Sequence, residues 1–305
     1  MSVPPRPGVH GGDAAAIARA LGIGADGLLD LSASMNPAAP DVTVLVGRHL
    51  DALHRYPDVA VATAAMAEVL GVAPSQLLLT NGGAEAIALL ARQLRSGSVS
   101  DPEFSLYARH LDDVRADAPR WRSNPSSPLG LLAAAGEVAA VWDEAFYQLA
   151  TGTWTRGDVT RGSFVVGSLT KLFACPGLRI GYVMSEDEDS MARLRAAQPM
   201  WSVNGLVCEV LPAMVAGADL DGWRRQAALL RSQLLHVLAS AGLTYRPGAA
   251  NWVLVDAPGL RDLLIPHGIV VRDCTSFGMP GVMRIAVPTA DGLQRLSVAL
   301  TRVAG

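Results

Sequence analysis

SLTKLFACPGLRIGY (168–182) decides the fold of this 305-residue chain, because an apolar strand pattern leads into the stretch and another ends it. Ser168 and Thr170 bring two hydroxyls into the loop beside Lys171, and Arg179 follows the lysine by eight residues. Hydroxyls and a guanidinium can hold a phosphate group. A lysine amine can attack an aldehyde placed beside that phosphate. The stretch therefore predicts an anion site next to a nucleophilic amine.

Lys171 is also the one lysine among 25 Lys and Arg residues, the other 24 being arginines. Arginine does not lose its proton in a protein, so it cannot supply a free amine. Amine chemistry would explain why a single lysine is present. Composition alone leaves open the alternative that one surface lysine survived by chance.

The composition indicates a folded, intracellular protein that binds neither nucleic acid nor membrane. Half of the residues are hydrophobic and 17% are charged, which excludes disorder. The net charge of −3 shows no excess of basic residues that would bind nucleic acid. No apolar run approaches the ~20 residues of a membrane span. We see no secretory signal pattern. Cys175, Cys208 and Cys274 are far apart, which suits reduced thiols in a cytoplasm, and scattered histidines predict no metal site.

Strand and helix patterns alternate along the chain, which predicts an α/β fold. Pro and Gly dominate an N-terminal arm (1–45) with one short helix near 13–21. Helices are predicted at 59–72 and 84–95 and through most of 187–242. A strand is predicted at 76–80, and buried parallel strands are predicted at 137–142, 163–168 and 178–184. The last sixty residues alternate again, with strands predicted at 251–256, 268–273 and 282–287, and predict a smaller C-terminal lobe that begins near 205.

Two glycine motifs differ in their context. GIGADG (22–27) has the letters of a dinucleotide fingerprint, but a helix pattern precedes it, where that fingerprint needs a strand. LTNGGAEAI (79–87) joins a strand to a helix, so the backbone N–H groups of Gly83 and Ala84 would point out of the helix start. Such a terminus suits a phosphate group. The alternative is an ordinary strand–helix turn.

WDEAFY (142–147) sets Asp143 at the end of an apolar strand. Ligands of α/β proteins bind at this carboxyl edge of the sheet. A buried acid needs a partner, and a protonated pyridine nitrogen would serve. A helix cap or a structural ion pair is the alternative role.

The chain resembles the fold-type I pyridoxal-phosphate enzymes, because 168–182 looks like their Schiff-base lysine segment. More narrowly it is similar to the branch that contains histidinol-phosphate aminotransferases and the threonine-phosphate decarboxylases of cobalamin synthesis. The matching pieces are HGGD (10–13), LSASMNP (31–37), RYPD (55–58), LTNGGAEAI, PEFSLY (102–107), SNPSSPLG (123–130), WDEAFY, the lysine segment, QPMWSVN (198–204), NWVLV (251–255), GIVVRDCTSFG (268–278) and MRIAV (283–287). HGGD, QPMWSVN and VRDCTSFG look more like the decarboxylases.

The resemblance implies an aspartate-aminotransferase-like fold: a mainly parallel central sheet in a large domain (46–205) and a smaller α/β domain (206–305). It implies pyridoxal 5′-phosphate as the cofactor and a homodimer. Lys171 would bind the cofactor covalently and move protons, while Asp143 would keep its pyridine nitrogen protonated.

The other implied roles divide between cofactor and substrate. The cofactor would be held by Phe104 on its ring, by Ser127, by Tyr56 of a second subunit, and at its phosphate by Gly83, Ala84, Ser168, Thr170 and Arg179. The substrate would be bound at its carboxylate by Arg284 and at a phosphate by Arg272, Asn36 and the loop of Gly11 and Gly12.

Three departures from the family pattern accompany this resemblance. Ser127 stands where relatives commonly have an asparagine, and Phe146 stands where aminotransferases have a tyrosine. Both family residues bond the phenolic oxygen of the cofactor, and Tyr147 or a water could take their place. The stretch 107–124 is shorter than the strand and helix that the family usually fits there.

The expected function is decarboxylation of O-phospho-L-threonine or a close phosphorylated amino acid, giving a phosphoamine such as aminopropanol phosphate for cobalamin synthesis. The alternative is an aminotransferase of the histidinol-phosphate type. A degenerate, non-catalytic family member is the second alternative, which the three departures motivate.

Overall fold

The computed structural model describes residues 11–24 and 27–304, which form two β-sheets with helices packed against them. Within these ranges the helices are α1 (Ala14–Leu21), α2 (Thr43–Gly47), α3 (Ala60–Leu70), α4 (Gly82–Leu94), α5 (Leu106–His110), α6 (Tyr147–Thr151), α7 (Leu169–Leu172), α8 (Glu188–Ala197), α9 (Gly205–Ala216), α10 (Leu220–Ser240), α11 (Leu260–Leu264) and α12 (Ala290–Ala304). The strands are β1 (Leu29–Leu31), β2 (Leu77–Asn81), β3 (Ser96–Val99), β4 (Asp113–Val114), β5 (Arg120–Ser123), β6 (Val141–Asp143), β7 (Phe164–Ser168), β8 (Ile180–Met184), β9 (Thr244–Pro247), β10 (Trp252–Asp256), β11 (Ile269–Asp273) and β12 (Val282–Ala286).

The larger sheet has seven strands in the order β2-β8-β7-β6-β5-β3-β4. The five strands β7, β6, β5, β3 and β4 pair in parallel with one another, so the sheet is mainly parallel as predicted. The carboxyl ends of these parallel strands meet at one edge. Ser168 at the end of β7 and Asp143 at the end of β6 therefore lie at the same edge.

The predicted parallel direction of the strand at 178–184 is wrong, because β8 runs antiparallel to both β2 and β7. The chain joins β7 to β8 through residues 169–179, which hold only the short helix α7 and a 3₁₀ turn. A parallel crossover needs a dozen or more residues, usually with a full helix. The short connection instead turns the chain back and keeps the lysine loop tight against the sheet edge.

Helices cover both faces of this sheet, which explains its uninterrupted apolar strands. On β7, Val165 packs into the cluster that contains α3 and α9, while Val166 packs into the cluster that contains α4 and α8. Tyr182 and Val183 divide in the same way on β8. Successive side chains of a strand point to opposite faces, so the central strands are buried on both sides.

The smaller sheet has the order β1-β11-β12-β10-β9, so it combines a strand from near the start of the chain with four from its end. β1 pairs in parallel with β11, and the remaining pairs are antiparallel. The strands predicted at 251–256, 268–273 and 282–287 are confirmed as β10, β11 and β12. β9 and the pairing of β1 were not predicted. The domain division near 205 stays a prediction, and residues 1–10 of the predicted arm lie outside the described residues.

Two other predicted segments differ from the observed ones. The strand predicted at 137–142 begins only at Val141, because the carboxylate of Glu137 binds Arg120 and Arg122 in a turn that precedes the strand. Between 107 and 124 the chain forms α5, the two-residue β4 and β5, with no helix between the two strands. The sheet thus keeps seven strands although the segment is short. None of the described helices is long and apolar enough to cross a membrane.

Candidate active site

A cavity of about 220 Å³ lies between the carboxyl edge of the larger sheet and the smaller sheet. Most of the residues predicted for the site line this cavity: Gly11, Gly83, Ala84, Phe104, Ser127, Asp143, Ser168, Thr170, Lys171, Arg179, Arg272 and Arg284. Phe146, the residue in the place of the family tyrosine, lines it as well. Residues from distant parts of the chain therefore meet in one pocket.

Lys171 lies in α7, three residues after the end of β7. Burial, together with the nearby guanidiniums of Arg284 and Arg179, lowers the pKa of its amine to about 8. Within the described part of the chain, no carboxylate forms an ion pair with this lysine. An amine in this environment loses its proton far more easily than an exposed lysine, which is what nucleophilic attack requires.

An anion cradle forms where β2 passes into α4. The thirteen-residue helix begins at Gly82, so its first N–H groups face the cavity near Gly83 and Ala84. Gly82 has φ of +76°, and a Cβ added there would collide with the guanidinium of Arg179. Glycine is therefore required both for the turn and for the close approach of the arginine.

Three side chains complete this cradle. Ser168 and Thr170 share a hydrogen bond of 2.9 Å between their hydroxyl oxygens and are both buried. Arg179 forms no ion pair with a carboxylate of the described residues, and it donates a long hydrogen bond, 3.4 Å, to the carbonyl of Pro176. Hydroxyls, helix N–H groups and a guanidinium without an acidic partner are the groups that bind a phosphate.

Asp143 is buried at the end of β6, where it accepts two hydrogen bonds. The hydroxyl of Tyr107 donates to Oδ2 at 2.8 Å, and the backbone N–H of Ala145 donates to Oδ1 at 3.0 Å. Burial raises the pKa of Asp143, while the two hydrogen bonds oppose that rise. The carboxylate lines the cavity, and no cationic side chain of the described residues is bonded to it, so a protonated ring nitrogen fits as its partner.

The sequence did not single out Glu103, Ser123 or Tyr107, which form a polar layer behind this acid. Glu103 is buried, and its carboxylate accepts from the hydroxyl and the backbone N–H of Ser123. The Ser123 hydroxyl in turn accepts from the backbone N–H of Ser127 at 2.7 Å. This contact fixes the loop that carries Ser127 at the cavity. No local sequence signal marks the bonds of Glu103 to Ser123 and of Tyr107 to Asp143, because they join positions 20 and 36 residues apart.

Arg284 projects from β12 into the cavity from the opposite side. Burial lowers the pKa of its guanidinium to about 10. Its Nη2 donates to the carbonyl of Ser32 at 3.2 Å, whereas its buried Nε has no hydrogen-bond partner among the described residues. A desolvated cation with a vacant donor is a strong site for a carboxylate.

Arg272 of β11 lies directly opposite Arg284 in the pairing of the two strands. It is buried, it lies over the ring of Phe277, and its Nη2 donates to the hydroxyl of Ser276 at 2.7 Å. Gly11 also lines this end of the cavity, where a Cβ would collide with the carbonyl of Ser32. Two buried guanidiniums thus converge on one end of the pocket.

Three predicted site residues do not line the cavity. The side chain of Asn36 donates to the carbonyl of Leu172 and accepts from the backbone of Ala38, so it braces the lysine segment from behind. Gly12 bonds the Ser32 hydroxyl through its backbone N–H. Tyr56 is 77% exposed and packs on the ring of Trp201, with centroids 4.5 Å apart.

The pocket combines an amine of lowered pKa, a phosphate cradle and a buried acid, each on a different connection of one mainly parallel sheet. A phosphorylated pyridine aldehyde fits all three groups. The fold and the site therefore define a pyridoxal-phosphate enzyme with the aspartate-aminotransferase-like fold.

Comparison with known proteins gives the family. Residues 121–300 match the aminotransferase class I and II family. The threonine-phosphate decarboxylase of Salmonella typhimurium is 30% identical, with 96% of each chain covered, and histidinol-phosphate aminotransferase 2 of Methylococcus capsulatus is 28% identical, with 90% of each covered. The structure of histidinol-phosphate aminotransferase from Sinorhizobium meliloti in complex with pyridoxal-5′-phosphate superposes with a TM-score of 0.79 at 18% identity, covering 95% of this chain and 94% of that one. The chain belongs to the class I and II aminotransferase family, and pyridoxal 5′-phosphate is its cofactor.

Proposed function

We propose that this protein decarboxylates O-phospho-L-threonine, or a closely similar phosphorylated amino acid, to a phosphoamine such as aminopropanol phosphate for cobalamin synthesis. The observation that carries the proposal is the pair of buried guanidiniums, Arg272 and Arg284, at one end of the lysine pocket. A substrate with both a carboxylate and a phosphate supplies one anion for each. The similarity to a decarboxylase of that substrate class over nearly the whole chain supports the same assignment.

The cofactor would be held by the larger sheet. Its phosphate would bind at the start of α4 and at Ser168, Thr170 and Arg179, its ring nitrogen at Asp143 and its ring face at Phe104. Lys171 would attach it covalently. When bound, the cofactor withdraws electrons from whichever Cα bond of the substrate lies perpendicular to its ring.

The residues around the cofactor then select which bond breaks. Arg284 binds the substrate carboxylate, and the direction in which it holds that group decides between loss of CO₂ and loss of the Cα proton. Lys171 takes up and returns protons at its Nζ, a role for which a pKa of about 8 is well matched to neutral pH. Asp143 remains a fixed negative charge behind the ring, oriented by Tyr107.

Arg272 would bind the substrate phosphate. Its guanidinium is held over Phe277 and by Ser276, so its direction is fixed. A planar guanidinium binds phosphate in a bidentate way more specifically than an ammonium does. The backbone at Gly11 adds a surface without side chains, against which a phosphate can lie.

A second copy of the chain would complete the enzyme as a homodimer. Tyr56 and Trp201 stack at the surface, and Leu53, Val61 and Met200 are likewise largely exposed. Exposed apolar patches of this kind mark protein interfaces. Tyr56 would reach the cofactor phosphate of the partner, and sedimentation equilibrium is expected to give about twice the 31.9 kDa of one chain. The three cysteines are free and buried, which supports the cytoplasm as the location.

The deciding experiment incubates the cofactor-loaded protein with O-phospho-L-threonine and no oxo acid, and follows the products by mass spectrometry. We expect catalytic formation of the amine that is lighter by one CO₂. Absence of this product refutes the decarboxylase.

An aminotransferase of the histidinol-phosphate type is the second candidate, favoured by the 28% identity to such an enzyme over most of the chain. It would need a 2-oxo acid and would convert histidinol phosphate only in its presence. A non-catalytic protein would do neither, and borohydride would not fix a cofactor onto Lys171.

A further inference from the structure

Trp252 joins the two sides of the active-site cleft. It lies on β10 of the smaller sheet and is almost completely buried. Its indole Nε1–H donates to the carbonyl of Pro128 at 2.7 Å, and its ring packs in a T-shaped pair with Phe146 at a centroid distance of 4.7 Å and an angle of 78°. Pro128 and Phe146 follow β5 and β6 of the larger sheet, so the larger sheet fixes the plane of an indole that belongs to the smaller one.

The guanidinium of Arg284 lies over this ring, 4.9 Å from its centroid. In the pairing of β10 with β12, Trp252 is opposite Ala286 and Arg284 is opposite Leu254, so the indole and the guanidinium are diagonal neighbours. Arg284 also donates a hydrogen bond to the carbonyl of Ser32. The ring and this carbonyl both contact the guanidinium, and its buried Nε has no hydrogen-bond partner among the described residues.

We infer that Trp252 is a specificity-determining positioning residue, which sets the direction of Arg284 and through it the direction of the substrate carboxylate. Tryptophan gives the strongest cation–π attraction among the aromatic side chains. Because Pro128 and Phe146 prevent the indole from turning, the cation–π contact holds the guanidinium of Arg284 in one direction. The inference rests on the proposed role of Arg284 as the carboxylate anchor. It also gives Phe146 a role in holding the indole, for which the hydroxyl of the family tyrosine is not needed.

The test compares two ligands that differ by the carboxylate alone, on the holoenzyme carrying Trp252→Phe. Phenylalanine keeps an aromatic ring but loses the bond to Pro128 and most of the cation–π contact. We expect the Kd of O-phospho-L-threonine to rise about tenfold and the Kd of aminopropanol phosphate to change by less than about twofold. Both constants are taken from the first change in cofactor absorbance after rapid mixing, before O-phospho-L-threonine is consumed, so turnover is not the readout.

Trp223→Phe is the matched control: Trp223 is also buried and packs edge-to-face with Phe173, but Phe173 does not line the cavity, whereas Phe146 and Arg284 beside Trp252 do. It is expected to leave both constants unchanged. An equal rise for both ligands in Trp252→Phe would reduce Trp252 to a structural role and overturn the inference, as would two unchanged constants. If Trp252→Phe loses the cofactor, Trp252→Tyr is judged by the same ratio.

The failure of the proposed function is a separate result. If the wild-type enzyme releases no CO₂ but transfers amino groups, the carboxylate-dependent comparison is made between L-glutamate and histidinol phosphate, which has no carboxylate. Trp252→Phe is then expected to weaken glutamate binding about tenfold and to spare histidinol phosphate. Equal effects on these two ligands would also overturn the inference.

Discussion

The two halves of the pocket differ in how their polar groups are satisfied. In the half built by the larger sheet, Asp143 bonds Tyr107 and Ser168 bonds Thr170, so the buried acid and the two hydroxyls have partners within the protein. In the half built by the smaller sheet, Arg284 is buried with its Nε unbonded and its pKa lowered. The first half is organised before any ligand arrives, whereas the second holds a desolvated charge that an anionic ligand would satisfy.

This difference teaches that cofactor and substrate are held by different physical means. A resident cofactor can be bound by many paired groups at strand ends and a helix start, which are fixed by the backbone. A substrate that must come and go is better held by a few strong contacts that it completes itself. Variants in the two halves should therefore fail in different ways.

The largest effect is expected for Lys171→Ala in the larger-sheet half. Without the amine the enzyme loses both covalent attachment and its proton carrier, and we expect kcat to fall by about 10⁴-fold. Borohydride followed by peptide mass spectrometry should label the wild-type protein at Lys171 and leave the variant unlabelled. Undiminished turnover in the variant would disprove an enzymatic role for this pocket.

The next effect is expected for Arg284→Gln in the smaller-sheet half. Loss of a buried charge that pairs with the substrate carboxylate should lower kcat/KM by roughly 10²- to 10³-fold, from about 3 to 4 kcal/mol of lost interaction. The absorbance of the bound cofactor should stay unchanged, which separates this variant from Lys171→Ala. Arg246→Gln, at an exposed pair with Asp256, is the control and should retain full activity.

A stability measurement on the cofactor-free protein tests the larger-sheet half, from which Lys171 projects. The lysine pKa falls from 10.5 in the unfolded chain to about 8 in the folded one. Below pH 8 the amine is therefore charged in both states, and its burial lowers the free energy of unfolding by the full desolvation cost. Between pH 8 and 10.5 the unfolded chain binds more protons, so stability from this group rises with pH. Lys171→Met should thus be more stable by about 3 kcal/mol at pH 7 in urea unfolding. An advantage that does not shrink toward pH 10.5 would contradict this explanation.

The smallest effect is expected for Thr170→Val. The hydroxyl that bonds Ser168 is lost while the shape is kept, so one neutral hydrogen bond of the cradle disappears. We expect the Kd of the cofactor to rise about tenfold, as measured by equilibrium dialysis. The KM for the amino acid should hardly move, and a change in KM larger than that in cofactor affinity would remove the distinction between the two halves.

The sequence predicted most of the larger-sheet half because its signals are local. A glycine turn between a strand and a helix, an acid at a strand end and a lone lysine between hydroxyls are each visible within ten residues. The direction of β8 was missed, since it depends on the length of the connection rather than on the strand. Glu103 and Ser123 were missed because their bond joins distant segments.

The smaller-sheet half was predicted less completely. Arg272 and Arg284 were expected from a resemblance, but nothing in the sequence indicated that they stand opposite each other in one sheet. Asn36 was expected at the substrate, and its amide instead bonds the backbone of Leu172. Trp252 carried no signal beyond that of a strand residue, because its importance comes from the three groups that meet its ring.

The pairing of β1 with β11 has a consequence for the order in which the enzyme is made. The larger sheet uses residues 77–184 and can assemble on the ribosome as these leave the exit tunnel. The strand at residues 29–31 must wait for residues 269–271, more than two hundred positions later. Ser32, whose carbonyl holds Arg284, directly follows that strand. The nascent chain can therefore build the cofactor cradle early, but it acquires its carboxylate anchor only after almost the whole polypeptide has been synthesised.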